Sequence, residues 1–172
     1  MPSSPADLFA VLASLGAAVR TCEHPPLFTV AESRTLRGAV PGLHSKNLFL
    51  KDKKGRLFLV VAEEEAEIDL KRLHERLGAS GRLSFGSADL LLEVLGVTPG
   101  SVTPFAVLND RPPRVSVAID RRLAVAAEAN FHPLVNTATT TIAGADLVRF
   151  LEATGHPPLL VDFSPQATAP DL

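Results

Sequence analysis

A chain of 172 residues, 46% hydrophobic and 21% charged, fits one globular domain large enough to bury a core without staples. Its formal net charge of −2 argues against broad, nonspecific nucleic-acid binding, so any nucleic-acid contact has to be local and shape-dependent. A single cysteine, Cys22, excludes an intramolecular disulfide and a cysteine-rich metal site, and suits a reducing cytoplasm. There is no early cationic region, Asp7 interrupts the first apolar stretch, and the run Leu57–Ala62 is far short of the roughly 20 residues a bilayer requires. Neither a secretion signal nor a membrane span is therefore expected. Trp and Tyr are absent, which leaves Phe as the only full aromatic ring for stacking on a base.

In chain order, Ser4, Pro5 and Asp7 mark the start of a first helix that Gly16 stops, with Leu8, Val11, Leu12 and Leu15 as its apolar stripe. Thr29 and Glu32 have capping-box spacing and predict a short second helix ended by Gly38. Two apolar runs between Asn47 and Ala62 flank Lys51–Arg56 and read as a hairpin, with Gly55 free to take positive φ. The acidic stretch Glu63–Glu67 leads into a helix with core residues Leu70, Leu73 and Leu77, capped by Asp69 and ended by Gly78. A strand is expected over Arg82–Phe85, then a helix from Ser87 to Leu95 stopped by Gly96. Strands are predicted near Pro104–Leu108 and Val115–Ile119, a polar run over Thr137–Thr141, a last helix over Ala145–Thr154 and a closing strand over Leu159–Phe163. Helices and strands alternate without repeats or linkers. The fold class is thus α/β: one domain, residues 1–163, with a mixed, partly antiparallel and barrel-like sheet flanked by helices, and a flexible tail over 164–172.

Several chemistries drop out. There is no Gly-rich phosphate loop ending in Lys-Ser or Lys-Thr and no Gly-x-Ser-x-Gly elbow. The histidines, His24, His44, His74, His132 and His156, are scattered, and no metal site is expected. Cys22, beside an apolar helix end, reads as a small buried hydrophobe.

Four places invite function. Lys46 and Asn47 sit at the mouth of a strongly apolar strand, where polar residues often point into a cleft; by physics alone Lys46 is better explained as a solvated edge charge. The segment Gly96–Pro104, with two Gly and two Pro, is equally a ligand-facing loop and a rigid connector. In Asn130–Asn136, His132 precedes Pro133 and is held extended, and Asn136 offers both donor and acceptor, although on general grounds a satisfied structural histidine and an Asx turn are the favoured reading. The hairpin tip Lys51, Lys53, Lys54 and Arg56 reads as a soluble turn, and Arg34, Arg37 and Arg82 as isolated cations.

Taken together, the strand Leu43-His-Ser-Lys-Asn-Leu-Phe-Leu50, the loop Gly100-Ser-Val-Thr-Pro104, the segment Asn130-Phe-His-Pro-Leu-Val-Asn-Thr137 and the ending Asp146–Gly155 resemble the prolyl-tRNA editing domain family, in particular its free-standing branch. The resemblance runs from about Leu8 to Phe163. It implies a cytoplasmic trans-editing hydrolase that deacylates Ala-tRNA(Pro) and spares Pro-tRNA(Pro). Alternatives are a deacylase for Cys-tRNA(Pro) or another small amino acid, a non-catalytic tRNA-end-binding or synthetase-associated module, and an unrelated small-molecule hydrolase. The implied partner is the acceptor end of tRNA(Pro), with prolyl-tRNA synthetase or an elongation factor engaged transiently, no membrane and no cofactor.

The resemblance also assigns roles. Lys46, Gly100 and His132 are the catalytic set, and Asn47, Ser101, Pro104 and Asn136 bind substrate. Lys46 and Arg82 contact nucleic acid, Arg82 through the acceptor stem. A lysine ammonium, with a reference pKa of ~10.4, is a poor general base, so Lys46 is expected to hold the 3′-terminal nucleotide, although burial would make proton transfer possible. Gly100 would turn backbone amides toward the scissile carbonyl, and His132 would shape the pocket and orient water. With no carboxylate base in the motif, the substrate's own 2′-hydroxyl is expected to assist the attacking water. Selectivity would follow from pocket size, because excluding a bulkier residue by clash is easier than rejecting a smaller one.

Overall fold

A computed structural model describes residues 2–26, 35 and 38–163 of the chain. The second helix expected from Thr29, together with Arg34 and Arg37, lies almost entirely outside these residues, as does the tail over 164–172.

Local signals set the first elements. Helix α1 (Pro5–Ser14) starts in a reciprocal capping box: Ser4 Oγ accepts from the Asp7 amide at 3.1 Å and the Asp7 carboxylate accepts from the Ser4 amide at 2.8 Å. Such a cap stabilises a helix by ~1 kcal/mol. Leu8 and Leu12 are fully buried. Strand β1 (Val19–Glu23) follows; the sequence reading had no strand here. Strands β2 (Leu43–Lys51) and β3 (Leu57–Glu63) form the expected hairpin, in register from Ser45 opposite Glu63 to Lys51 opposite Leu57. Gly55 takes φ of 82° in its turn. Asp52 fastens that turn by accepting from the amides of Lys54, Arg56 and Ser80. The Ser80 amide, foremost among these bonds, holds the Asp52 carboxyl below the usual carboxylate range.

Helix α2 (Leu73–Leu77) is shorter than expected, and Asp69 does not cap it. The Asp69 carboxylate accepts from the Lys71 amide at 3.0 Å in a preceding turn, while Arg72 stands at the N-cap without a side-chain bond. After β4 (Ser84–Phe85), helix α3 (Ala88–Leu95) is capped by Ser87 and stopped by Gly96, as expected. Pro104–Leu108 is not a strand. It belongs to a 3₁₀ helix, Pro104–Asn109, preceded by a 3₁₀ turn, Pro99–Ser101. Thr103 Oγ1 accepts from the Phe105 amide, and Pro104 through Leu108 are all buried. A short buried apolar run has no periodicity to separate strand from helix, which is why the sequence misled here.

The chain continues through β5 (Val115–Asp120), α4 (Arg121–Ala124), β6 (Ala129–Phe131), β7 (Ala138–Ile142), α5 (Gly144–Ala153) and β8 (Leu159–Val161). The threonine run of 137–141 thus lies largely in a fully buried strand. The strands form one mixed sheet in the order β1-β7-β6-β2-β3-β5-β8, with β4 on β2. β2 pairs parallel with β6, β3 with β5 and β5 with β8; the other ladders are antiparallel.

Both sheet faces carry a core. Leu57, Leu59 and Val61 of β3 belong to a cluster with Leu8, Phe105, Phe131 and Phe150, whereas Phe58, Val60 and Ala62 belong to another with Leu73, Leu77 and Phe163. This is why β3 reads as an unbroken apolar run. Phe105 centres the first core, meeting Phe131 and Phe150 edge-to-face at 5.9 and 5.6 Å.

The closest backbone approach is at Gly144, where a Cβ would stand 2.0 Å from the Leu123 carbonyl oxygen. Gly144→Ala is expected to destabilise the fold by at least ~1–3 kcal/mol through forced displacement of α4 from α5. Urea unfolding with an unchanged midpoint would contradict that account.

Candidate functional site

The site is built on the first half of β2 and the ends of β6 and β1. Along β2 the side chains alternate. Asn47 stands opposite Val61 of the first core and Lys46 opposite Ala62 of the second, so the two residues project from opposite sheet faces. The Lys46 ammonium donates to the Ala66 carbonyl, just beyond β3. Among the described residues this is its one hydrogen bond, and an ammonium carries three N–H donors. Asn47 Nδ2 donates to Ser45 Oγ at 3.3 Å, and its Oδ1 is buried without a partner.

Beside β2 lies β6, in parallel register with Leu43 opposite Ala129 and His44 opposite Asn130. Asn130, which the sequence reading quoted only as the start of a motif, organises the junction. Its Nδ2 donates to the carbonyls of Pro41 and Leu43 at 3.0 and 3.1 Å, and its Oδ1 accepts from Thr141 Oγ1 at 2.5 Å. Ser45 Oγ donates to the Asn130 carbonyl at 2.9 Å. Gly42 allows the approach: at φ of 103°, a Cβ there would lie 2.8 Å from the Glu128 carbonyl. The paired register ends two residues short of Lys46 on β2 and two short of His132 on the other chain segment.

His132 is partly buried, and its Nδ1 lies 2.9 Å from the Ala138 carbonyl. A carbonyl only accepts, so Nδ1 carries the proton and Nε2 holds the lone pair of the neutral ring. Nε2 has no partner among the described residues. Burial is the main force lowering its pKa below the ordinary value of 6.5; the Ala138 bond opposes this and the charge of His24 adds to it. At neutral pH the ring is therefore uncharged, with Nε2 free to accept a proton. The following loop is strained: Leu134 has φ of 71° although it is not glycine, and its side chain is buried in the first core. Strain of this kind costs about 1–3 kcal/mol and concentrates at functional sites.

The Gly100 turn meets this loop. A Cβ at Gly100 would stand 3.3 Å from Asn136 Nδ2. Gly100 is exposed, but Ser101 and Pro104 are buried, so they brace the turn more than they present surface. Arg82 is not brought to this group. It is exposed beside β4, which pairs with Leu50 and Lys51 at the far end of β2 from Lys46.

Sequence reasoning passed over His24, which follows β1. Its ring centroid lies 6.3 Å from that of His132. It also lines a cleft of about 720 Å³ with Phe9, Glu23, Pro133, Val135 and Thr137. Cys22, expected to be buried, is exposed, because β1 is an edge strand of the sheet. His44 bonds the Val40 carbonyl and His156 pairs with buried Asp110 at 2.9 Å, both within the scaffold. A second cavity of about 420 Å³, along β5 and β8, shares no residue with the motifs. Among the described residues no three His, Cys, Asp or Glu side chains converge as a metal site, and no helix is long and apolar enough to cross a membrane.

Comparison with known proteins shows the family and the fold. The profile of the aminoacyl-tRNA editing domain matches residues 24–150. Prolyl-tRNA synthetase associated domain-containing protein 1 of Danio rerio is 43% identical over 146 residues, covering 83% of this chain and 79% of that protein. Prolyl-tRNA editing protein ProX of Acetoanaerobium sticklandii is 39% identical over 135 residues, covering 78% of this chain and 82% of its own. A solved structure described as a candidate trans-editing enzyme for prolyl tRNA synthetase has the same fold, with a TM-score of 0.68 at 22% identity over 95% of this chain and 99% of that one. With the Lys46 strand, the Gly100 turn and the His132 loop all inside the matched span, the chain belongs to the aminoacyl-tRNA editing domain family.

Proposed function

We propose that the chain is a trans-acting aminoacyl-tRNA deacylase that hydrolyses Ala-tRNA(Pro) and leaves Pro-tRNA(Pro) intact. The observation that carries this reading is His132: its Nδ1 is committed to Ala138, burial lowers its pKa and so favours the neutral ring, and its Nε2 has no partner among the described residues. The likeness to the prolyl-tRNA editing protein of Acetoanaerobium sticklandii supports the substrate class.

An aminoacyl ester is already activated, so catalysis rests on positioning, proton acceptance and stabilisation of the oxyanion. Nε2 of His132 takes a proton from water, directly or through the substrate's 2′-hydroxyl. The water oxygen bonds to the ester carbon, the bond to the 3′-oxygen breaks, and that oxygen leaves as a hydroxyl after regaining the proton. The exposed Gly100 turn offers backbone amides to the oxyanion, with Asn136 beside it. Lys46 directs its remaining N–H donors to the 3′-terminal nucleotide. The orphaned Asn47 Oδ1 serves as acceptor for a substrate donor such as the α-ammonium. Ser101 and Pro104 act by fixing the Gly100 turn. Arg82 takes a separate contact on the acceptor stem, since β2 from Lys46 to Lys51 spans about 17 Å. The cytoplasmic translation machinery is the setting, with prolyl-tRNA synthetase or an elongation factor as transient neighbours and residues 1–163 as the editing domain.

The decisive assay is hydrolysis of Ala-, Cys- and Pro-tRNA(Pro) by the wild-type chain and by Lys46→Ala, with circular dichroism confirming both folds. Alanine should be released, proline retained, and the variant slowed by about 10²-fold. A folded wild type that leaves Ala-tRNA(Pro) untouched refutes the reading, and release of cysteine alone reassigns it to the sister specificity.

His132 gives a second expectation. A folded-state pKa below the unfolded one contributes stability above about pH 6.5 that is lost as pH falls, because the unfolded chain takes up the proton first. Acidification from pH 7 to pH 5 should therefore destabilise the wild type more than His132→Gln in urea titrations, and kcat/KM should fall over the same window. Equal acid sensitivity of the two proteins would contradict the assignment of His132 as a neutral base.

A further inference from the structure

His24 belongs to none of the roles above, yet it is built into the same corner of the sheet. Its Nδ1 lies 2.8 Å from the Pro25 carbonyl and its Nε2 2.8 Å from Thr139 Oγ1. The neighbouring residue on β7, Ala138, supplies the carbonyl that holds His132. Two adjacent residues of one strand thus clamp two imidazoles arriving from β1 and from β6, with ring centroids 6.3 Å apart and planes tilted by 53°. The pair differs in one respect. Both nitrogens of His24 are occupied within the protein, whereas Nε2 of His132 has no partner among the described residues.

We infer that His24 is a positioning residue for the deacylase reaction: clamped to Thr139, it keeps the neighbouring His132 ring oriented and opposes its protonation, without itself touching the substrate. This inference rests on the deacylase reading and deepens it. With Pro25 O and Thr139 Oγ1 taking its two nitrogens, His24 has no nitrogen left to serve as an acid or base toward a ligand. A proton on His24 makes a second proton on His132 costlier, the like-charge effect known from paired titratable groups. The charge of His24 adds to burial in lowering the pKa of His132.

Among the described residues, other charges around the pair are few or already engaged. β7 contributes only Ala138, threonines and Ile142, the loop from Pro133 to Thr137 has no titratable side chain, and α1 lends Pro5 and Phe9 to the cleft beside His24. β2 brings His44 and Lys46, bonded to the carbonyls of Val40 and Ala66. β1 brings Arg20, paired with Glu128, and Cys22 and Glu23. Among the described residues, Glu23 lines the cleft beside His24 and its negative charge would favour protonation of a neighbouring imidazole.

The test is an NMR titration of the His132 imidazole in wild type, His24→Gln and His24→Phe, alongside pH profiles of kcat and KM for Ala-tRNA(Pro). Both variants remove the titrating ring, so if one fails to fold the other still decides. The His132 midpoint should rise by about 0.5–1 pH unit in the variants, the size expected for two screened charges at this separation. The acid limb of kcat should move the same way, with KM changed less than about twofold. A His132 midpoint that stays put in a folded variant overturns the inference, as does a rise in KM at unchanged kcat, which would mean that His24 contacts substrate. The titration needs no substrate. A wild type without turnover would therefore defeat the deacylase reading, while the titration still shows whether the two rings are coupled.

Discussion

The parallel pairing of β2 with β6, stapled by the side chain of Asn130, is the constraint on which the rest of the site depends. Two parallel strands have no hairpin to bring them together, and here 77 residues separate the end of β2 from the start of β6 (from 52 to 128). The Asn130 amide compensates by bonding Pro41, Leu43 and Thr141 at once, which ties β2, β6 and β7 at a single buried point. A buried amide of this kind is expensive unless each bond is made, so it selects one register. That register carries Lys46 and His132 forward from a common line.

Around that junction the molecule is organised by face. β3 is apolar on both sides and separates two cores, the larger filled by Phe105, Phe131 and Phe150 and the smaller by Phe58, Leu73 and Phe163. β7 is different: it is buried yet rich in hydroxyls, and each of Thr139, Thr140 and Thr141 finds a side-chain partner in His24, Thr21 or Asn130. Satisfied polar groups in a buried strand create a rigid surface on which imidazoles can be held in one tautomer. The chemistry therefore follows from packing. The same burial that makes the threonines part of the core also leaves His132 neutral.

The loops at the site are shaped by backbone more than by side chains. Leu134 tolerates a left-handed φ because its side chain is anchored in the larger core, so burial offsets the strain. Gly100 lies against Asn136, and the buried Ser101 and Pro104 hold its turn rigid from behind. A turn fixed in this way can aim amides at a developing charge without reorganising during the reaction.

The sequence alone determined those features whose causes are local. The Ser4 and Ser87 caps, the Gly78 and Gly96 helix stops and the Gly55 hairpin each depend on residues within a few positions of one another, and each was legible. The motif residues were legible by resemblance, which pointed to Lys46, Gly100 and His132 and to the family, but not to how they are held. What tertiary structure decided are the elements whose cause lies far along the chain. β1 exists because Val19–Glu23 pairs with 138–142, and β6 is three residues long and lives only between β2 and β7. Pro104–Leu108 coils because the core around Phe105 has room for a 3₁₀ helix, which an apolar run cannot announce. The partnership of His24 with His132 is of the same kind. The two rings are 108 positions apart (132 minus 24) and meet only because β7 pairs with β1 on one side and β6 on the other, a long-range hydrogen-bond pattern that no local spacing encodes.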